Sequence, residues 1–265
     1  MKRFFIVLAA SLTAVSLAAC GSGNATADTK VSGNYLKVGV RTNLANFSTY
    51  DEAADTYYGF EDDVAKTLAY ELGYDGVEYV GLDPAERDQA LENGSIDCLI
   101  AAYSKTDERE EKFDLSLPYY YDEGRVMIEK STLFEDYADL KGAKVAVRTG
   151  TTAAENFAAK LCEKGLIADS SEAALAGFLD IIEFDAYADM NAALEAGEVD
   201  AICADGCITL PWLDDERTYF EEAYSEEEYV VATVKDSGLS EKIDEAISSM
   251  TESGEIDTIA VKWGV

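Results

Sequence analysis

Several arginines and one aspartate stand out in a sequence with 53 acidic and 21 basic residues. Arg41 closes the apolar stretch "KVGVRT" (residues 37–42), and Arg148 closes its near copy "KVAVRT" (residues 144–149). Arg109 falls in the first turn of a helix that Thr106 is placed to cap, where Asp107 and Glu108 suit the positive end of the macrodipole and a cation does not. A cation there makes sense if it holds an anion; a solvated arginine pairing with Asp107 or Glu110 is the competing reading. Arg87 follows Pro84 and shares a helix face with Ala90 and Leu91, so its guanidinium must emerge at an edge of the core, as a snorkelling structural group or as a clamp. Asp205 ends the apolar run "AICAD", where it either caps the helical "CITLPWL" or meets an ammonium group. Guanidinium groups take carboxylates bidentately. An anion clamp beside an ammonium site describes an α-amino acid.

The stretch "RTGTTAAE" offers a second half to the clamp. Thr152 followed three residues later by Glu155 reads as a capping box, and Gly150 permits close backbone approach just before the helix. Free amides at such a helix start receive carboxylates. Other chemistries fit poorly. The chain has no histidine, and Asp205 suits an ammonium better than proton transfer, so an enzyme is not the expectation. Cys203 and Cys207 are spaced for a disulfide or half a metal site, but with no histidine and no second paired-cysteine motif neither a metal nor a cofactor is expected.

The elements that position these residues are written twice. "ERDQALENGSIDCLIAA" (residues 86–102) and "DMNAALEAGEVDAICAD" (residues 189–205) align without gaps, each a helix closed by glycine (Gly94, Gly197) that feeds a buried strand, residues 96–101 and 199–204. Ahead of the first copy, "GFEDDVAKTLAYELG" repeats Phe60, Val64, Leu68 and Leu72 at helical spacing and stops at Gly73; "TTAAENFAAKL" takes its part in the second half. Strands alternating with such helices imply two α/β lobes built on parallel sheets. A helical tail with Leu239, Ile243, Ile247 and Met250 on one stripe belongs to the second lobe or returns to the first. If it returns, the chain crosses between lobes twice, at about "YYYDEGRVMIEK" and "EYVVATV", and such crossings are hinges. Ligands in open α/β sheets bind beyond the carboxyl ends of the strands, where Arg41, Ser104, Arg109 and Asp205 fall.

The net charge of −32 makes nucleic acid a poor partner. Lys2 and Arg3 precede an apolar run too short to span a bilayer comfortably, a signal-peptide pattern over 1–19. It ends in "LAAC" (residues 17–20), which resembles the bacterial lipobox and implies a lipidated Cys20 on a polar tether through residue 34, hence an extracytoplasmic protein anchored to the membrane.

The order "GFEDDVAKTLAYELG", "ALENGSIDCLIAAYSKTDEREEKFDLSLPYYY", "DLKGAKVAVRTGTTAAENF", "AALEAGEVDAICAD" resembles the family 3 solute-binding proteins of ABC transporters that import polar amino acids. The resemblance covers nearly all of residues 36–265. It implies a type II periplasmic-binding-protein-like fold, a monomer with lobe 1 at 35–122 plus 235–265 and lobe 2 at 123–234, and an ABC permease as partner. Carried over residue by residue, Arg109, the Ser104 hydroxyl and the Thr152 amide would clasp an α-carboxylate. Asp205 and the Ala102 carbonyl would take the α-ammonium, and Tyr103 and Tyr187 would be cleft walls or packed core. Members specific for glutamate and aspartate carry a basic residue at the place of Arg41 and an arginine at that of Arg87, which implies a side-chain carboxylate clamp, with Arg148 adding a contact or lining the rim. Leu44 and Ala102 would also serve a glutamine or cystine site, and a sensor-only lipoprotein would use the same pocket.

Overall fold

A computed structural model describes residues 33–265. The expected signal peptide, Cys20 and most of the tether lie outside the described residues. Asn34, assigned above to the tether, is instead tied to the folded unit: its N–H donates to the Asp75 carboxylate at 2.8 Å and its carbonyl accepts the Asp75 N–H.

The opening alternation forms β1 (Tyr35–Val40), with Leu36, Val38 and Val40 fully buried. A small antiparallel sheet of β2 (Asn43–Leu44), β3 (Ser48–Asp51) and β4 (Thr56–Tyr58) leads into α1 (Phe60–Glu71). The expected Phe60, Val64 and Leu68 stripe of α1 is buried, and Gly73 turns the chain in a left-handed conformation beyond it. Next come β5 (Gly76–Gly81), a 3-10 turn (Pro84–Glu86), α2 (Arg87–Glu92), β6 (Cys98–Leu99) and α3 (Asp107–Lys112). The helix expected from Pro84 therefore begins with a 3-10 turn. The strand expected over 96–101 is regular only at Cys98 and Leu99, although Asp97 and Ile100 still donate their N–H groups to β1.

The long β7 (Phe113–Glu129) opens the second half, followed by β8 (Lys144–Arg148), α4 (Ala153–Glu163), α5 (Glu172–Ala176) and β9 (Asp180–Phe184). Then come α6 (Tyr187–Glu195), β10 (Ala201–Asp205), α7 (Gly206–Thr209), β11 (Arg217–Tyr219) and β12 (Ser225–Val234), with α8 (Ser240–Glu252) and α9 (Glu255–Trp263) last. The main sheet runs β5-β1-β6-β12-β7-β10-β8-β9, with β11 beside β7. β1 is parallel to β5 and β6, and β8 is parallel to β9 and β10. These two parallel groups are the sheets of two lobes. β12 and β7, antiparallel to each other and to their outer neighbours, join them. The tail returns to the first half: α8 and α9 pack on α1, and Lys262 and Trp263 both donate to the Asp63 carboxylate. No described helix is long and apolar enough to cross a membrane.

Candidate functional site

The carboxyl ends of β1, β6, β8 and β10 converge on one small, largely enclosed cavity between the strand ends. Arg41, Arg87, Ala102, Ser104 and Arg109 line it from the first lobe; Thr151, Thr152, Tyr187 and Asp205 line it from the second. Each strand end brings a different polar group because the parallel strands run side by side and their loops open on the same edge. A larger open groove lies at Tyr137, Lys164 and Glu222, but Glu222 is already paired with Lys160 and Lys164.

Arg41 is the largest fully buried side chain, 1% exposed. Among the described residues it forms no ion pair, its Nε has no hydrogen-bond partner, and Nη2 reaches only the Asn43 amide oxygen at 3.5 Å. The Tyr187 ring lies 5.7 Å from its guanidinium carbon. Burying an unpaired cation costs several kcal/mol, so this group stands ready for an anion.

Arg87 is equally buried but well provided for. Nε donates to the Pro84 carbonyl, Nη1 to the carbonyls of Ala101 and Ala102 at 2.9 and 3.0 Å, and Nη2 to the Gly150 carbonyl of the facing lobe at 3.2 Å. Burial, together with repulsion from Arg109 and Arg41, brings its pKa down to about 9. It is thus held as a fixed positive group with little donor capacity left, rather than the free half of a bidentate clamp.

Arg109 is part-buried on the face of Tyr103, 3.9 Å from the ring centre, and donates to the Ser104 carbonyl at 2.5 Å. Thr106 caps α3 as expected by accepting the Arg109 N–H. Among the described residues Arg109 pairs with neither Asp107 nor Glu110, and Glu110 is taken by Lys105. Tyr103 is no cleft wall: it is fully buried behind Arg109 and Arg87, its hydroxyl donating to Asp88.

Asp205 does not cap the helix it precedes. Asp122 takes the Cys207 N–H instead, at 2.9 Å, which leaves Asp205 with one contact, a hydrogen bond of 2.5 Å from the Tyr229 hydroxyl. Burial and the nearby Glu227 carboxylate push the Asp205 pKa up to about 8, against the Tyr229 hydrogen bond. An ammonium group would relieve that penalty.

The expected capping box at Thr152 and Glu155 is absent. Gly150, at φ 74°, turns the chain one residue early, so Thr152 is already helical and Thr151 does the capping, accepting the Ala153 N–H at 3.4 Å. The close approach at Gly150 is to the other lobe: a Cβ there would lie 2.6 Å from the Ala85 nitrogen. Arg148 is not in the cavity either. It bridges the lobes through Asp83 at 3.2 Å and donates to the carbonyls of Thr149 and Phe184. Cys98, Cys162, Cys203 and Cys207 are free thiols.

One residue not singled out in the sequence supports the cavity from behind. Glu61 is fully buried in the first turn of α1, and one of its carboxylate oxygens accepts both the Ala102 N–H and the Tyr119 hydroxyl at 2.6 Å. Its sequence signal was its place on the buried stripe with Val64 and Leu68.

A family model described as bacterial extracellular solute-binding proteins, family 3, matches residues 36–265. The chain is 27% identical over 281 residues to the glutamine-binding protein of an ABC transporter from Bacillus subtilis (strain 168), covering 99% of this chain and 97% of the relative. It is 26% identical to the arginine-binding extracellular protein of the same organism, covering 99% and 98%. A solved structure of an ancestral arginine-binding protein bound to arginine superposes with a TM-score of 0.73 at 30% identity, over 87% of this chain and 98% of that one.

Proposed function

Because the chain belongs to the bacterial extracellular solute-binding proteins of family 3, a family of binding proteins rather than enzymes, we propose that it captures an acidic α-amino acid, glutamate or aspartate. It would then deliver this ligand to an ABC permease, working as a monomer held at the outer face of the cytoplasmic membrane by a lipidated Cys20. In this reading Arg109, the Ser104 hydroxyl and the Thr152 N–H receive the α-carboxylate, and Asp205 with the Ala102 carbonyl receives the ammonium. Arg41 binds the side-chain carboxylate, with the positive field of Arg87 behind it and Tyr187 as a wall.

The observation that supports the acidic ligand is the state of Arg41: buried, at the cavity wall, and without a carboxylate partner among the described residues. A basic ligand, such as the arginine for which the arginine-binding relative is named, would place a second cation against it. A micromolar ligand needs about 8 kcal/mol of net binding free energy, and charge-assisted hydrogen bonds of about 1.5 to 3 kcal/mol each supply it after ordering costs. The cavity takes groups from both lobes, so only the closed form satisfies the ligand and binding shifts the hinge equilibrium toward closure.

A thermal-shift panel on the purified protein tests this. Glutamate or aspartate at about a hundred times its dissociation constant adds roughly 2.7 kcal/mol, a rise of about 5 to 10 °C in the unfolding midpoint. A rise with glutamine, cystine or arginine, and none with either acid, would overturn the acidic reading while keeping the α-amino acid clamp.

A further inference from the structure

The contacts behind the cavity form a relay that starts at a hinge strand. Tyr119 lies on β7, one of the two strands that join the lobes, and its hydroxyl donates to Glu61 Oε1 at 2.6 Å. The same oxygen accepts the Ala102 N–H at 2.6 Å. Ala102 is held at φ 46°, a left-handed conformation that a side chain other than glycine adopts only at a cost. That turn aims the carbonyls of Ala101 and Ala102 together at Arg87 Nη1, and Arg87 Nη2 then reaches the Gly150 carbonyl on the opposite lobe. Glu61, Tyr119 and Arg87 are all fully or almost fully buried, so no water competes for these groups at the surface.

We propose that Glu61 is a positioning residue for ligand capture: its carboxylate fixes the strained Ala102 turn, and through that turn it sets both the ligand-facing Ala102 carbonyl and the Arg87 contact across the cleft. This rests on the reading of the cavity as an amino acid site. Glu61 itself does not line the cavity and touches no ligand. Three features make it more than a helix-start acid complementing the macrodipole. Its side chain is buried among α1, the loop after β6 and β7, and unlike Asp62, which is buried beside it but accepts from Ser48, it holds a residue that lines the cavity. One oxygen carries both hydrogen bonds while the other, Oε2, has no partner among the described residues. Burial raises its pKa, and the hydrogen bonds from Tyr119 and Ala102, with the charges of Arg41 and Arg87, act in the opposite sense.

The role separates from simple structural support by rescue. Glutamine keeps an acceptor oxygen for the Tyr119 hydroxyl and the Ala102 N–H; alanine removes it. Titration calorimetry with L-glutamate and L-glutamine as probes is run on the wild-type protein, Glu61→Gln, Glu61→Ala and Tyr119→Phe, with the Ala102 amide proton followed by NMR. We expect Glu61→Gln to bind within about threefold of wild type, Glu61→Ala about 30-fold or more weaker, and Tyr119→Phe about three- to tenfold weaker, from the loss of buried hydrogen bonds and the unsatisfied donors left behind. The Ala102 amide proton should lose its low-field position in Glu61→Ala alone. If Glu61→Ala fails to fold, the other two variants decide: Tyr119→Phe binding as wild type does would overturn the inference. So would Glu61→Ala at wild-type affinity, or Glu61→Gln as weak as Glu61→Ala. A wild-type protein that binds only another amino acid of the thermal-shift panel is titrated with that one; a wild-type protein that binds none of them overturns the amino acid reading and this inference together, and normal wild-type binding with unaffected variants overturns this inference alone.

Discussion

The stretches ending in Arg41 and Arg148 are near copies, yet the two arginines sit in opposite circumstances. Arg148 has a carboxylate partner in the protein, Asp83 across the cleft, and two carbonyls beside it, although its Nε, like that of Arg41, has no hydrogen-bond partner among the described residues. Arg41 faces the cavity with its Nε unpaired and no acid at contact distance among the described residues. The repeat therefore supplies a cation at the same strand end twice, and the surroundings differ: one arginine is paired across the lobes, and the other is the one proposed to take the ligand. A buried charge left without a partner is costly, and it persists where function returns the cost.

The largest effect that would break this comparison is at Arg41. Arg41→Met should weaken binding of an acidic ligand by a hundredfold or more, on the order of 3 kcal/mol for a desolvated charge pair. It should also leave the ligand-free protein as stable as wild type or more so, since an uncompensated buried charge is removed. Calorimetry and thermal unfolding together check this; a variant that binds normally, or that loses several degrees of stability, would mean that Arg41 is structural.

The pH dependence should be nearly as large. Asp205 in the free protein has its pKa pushed up to about 8, chiefly by burial. The ligand ammonium needs the ionised form, so protonation competes with binding. Affinity should rise with pH between about 6 and 8, approaching tenfold per pH unit, and flatten above that. Ligand-free stability should move the other way. A carboxyl whose folded pKa is raised holds its proton in the native state while the unfolded chain has lost it, so stability falls as pH climbs from about 4 to 8. An affinity flat across this window would remove Asp205 from the ammonium site.

Smaller effects belong to the Arg148 side. Asp83→Asn and Arg148→Gln should each weaken ligand binding by about three- to fivefold through faster opening, and the double variant should be no worse than either alone, the signature of one shared contact. Additive losses in dissociation rate would show that the two act separately. Least of all, raising salt from about 20 to 200 mM should speed ligand association by about two- to threefold, because a chain of net charge −32 repels an anion at long range. A slower association would show that the cavity field governs the approach.

Much of this architecture is legible in the residues themselves. The repeat of strand, helix and glycine stop marks two parallel α/β units, and Arg41, Arg87, Arg109 and Asp205 are conspicuous because each is a charge at the edge of an apolar element. The features that stayed hidden depend on pairs distant in sequence. Nothing local to Arg148 points to Asp83, 65 positions away, and nothing local to Gly150 points to the Ala85 backbone. Glu61 was hidden for another reason. Three successive acids at the start of α1 already satisfy the macrodipole, which masks the two, Glu61 and Asp62, that turn inward. Tyr103 reads as cleft wall or packed core because it neighbours Ala102 and Ser104, and the left-handed turn at Ala102, after which Tyr103 lies fully buried, has no local signal.

The most direct test of the acidic-ligand claim is a paired titration of the wild-type protein by calorimetry, glutamate against glutamine and aspartate against asparagine. Each pair differs only in the charge that Arg41 is proposed to read. The account predicts that one acid binds with a micromolar or tighter dissociation constant and exceeds its amide by about a hundredfold or more. An amide that binds as tightly as its acid, or more tightly, would contradict it and return Arg41 to the structure of the lobe.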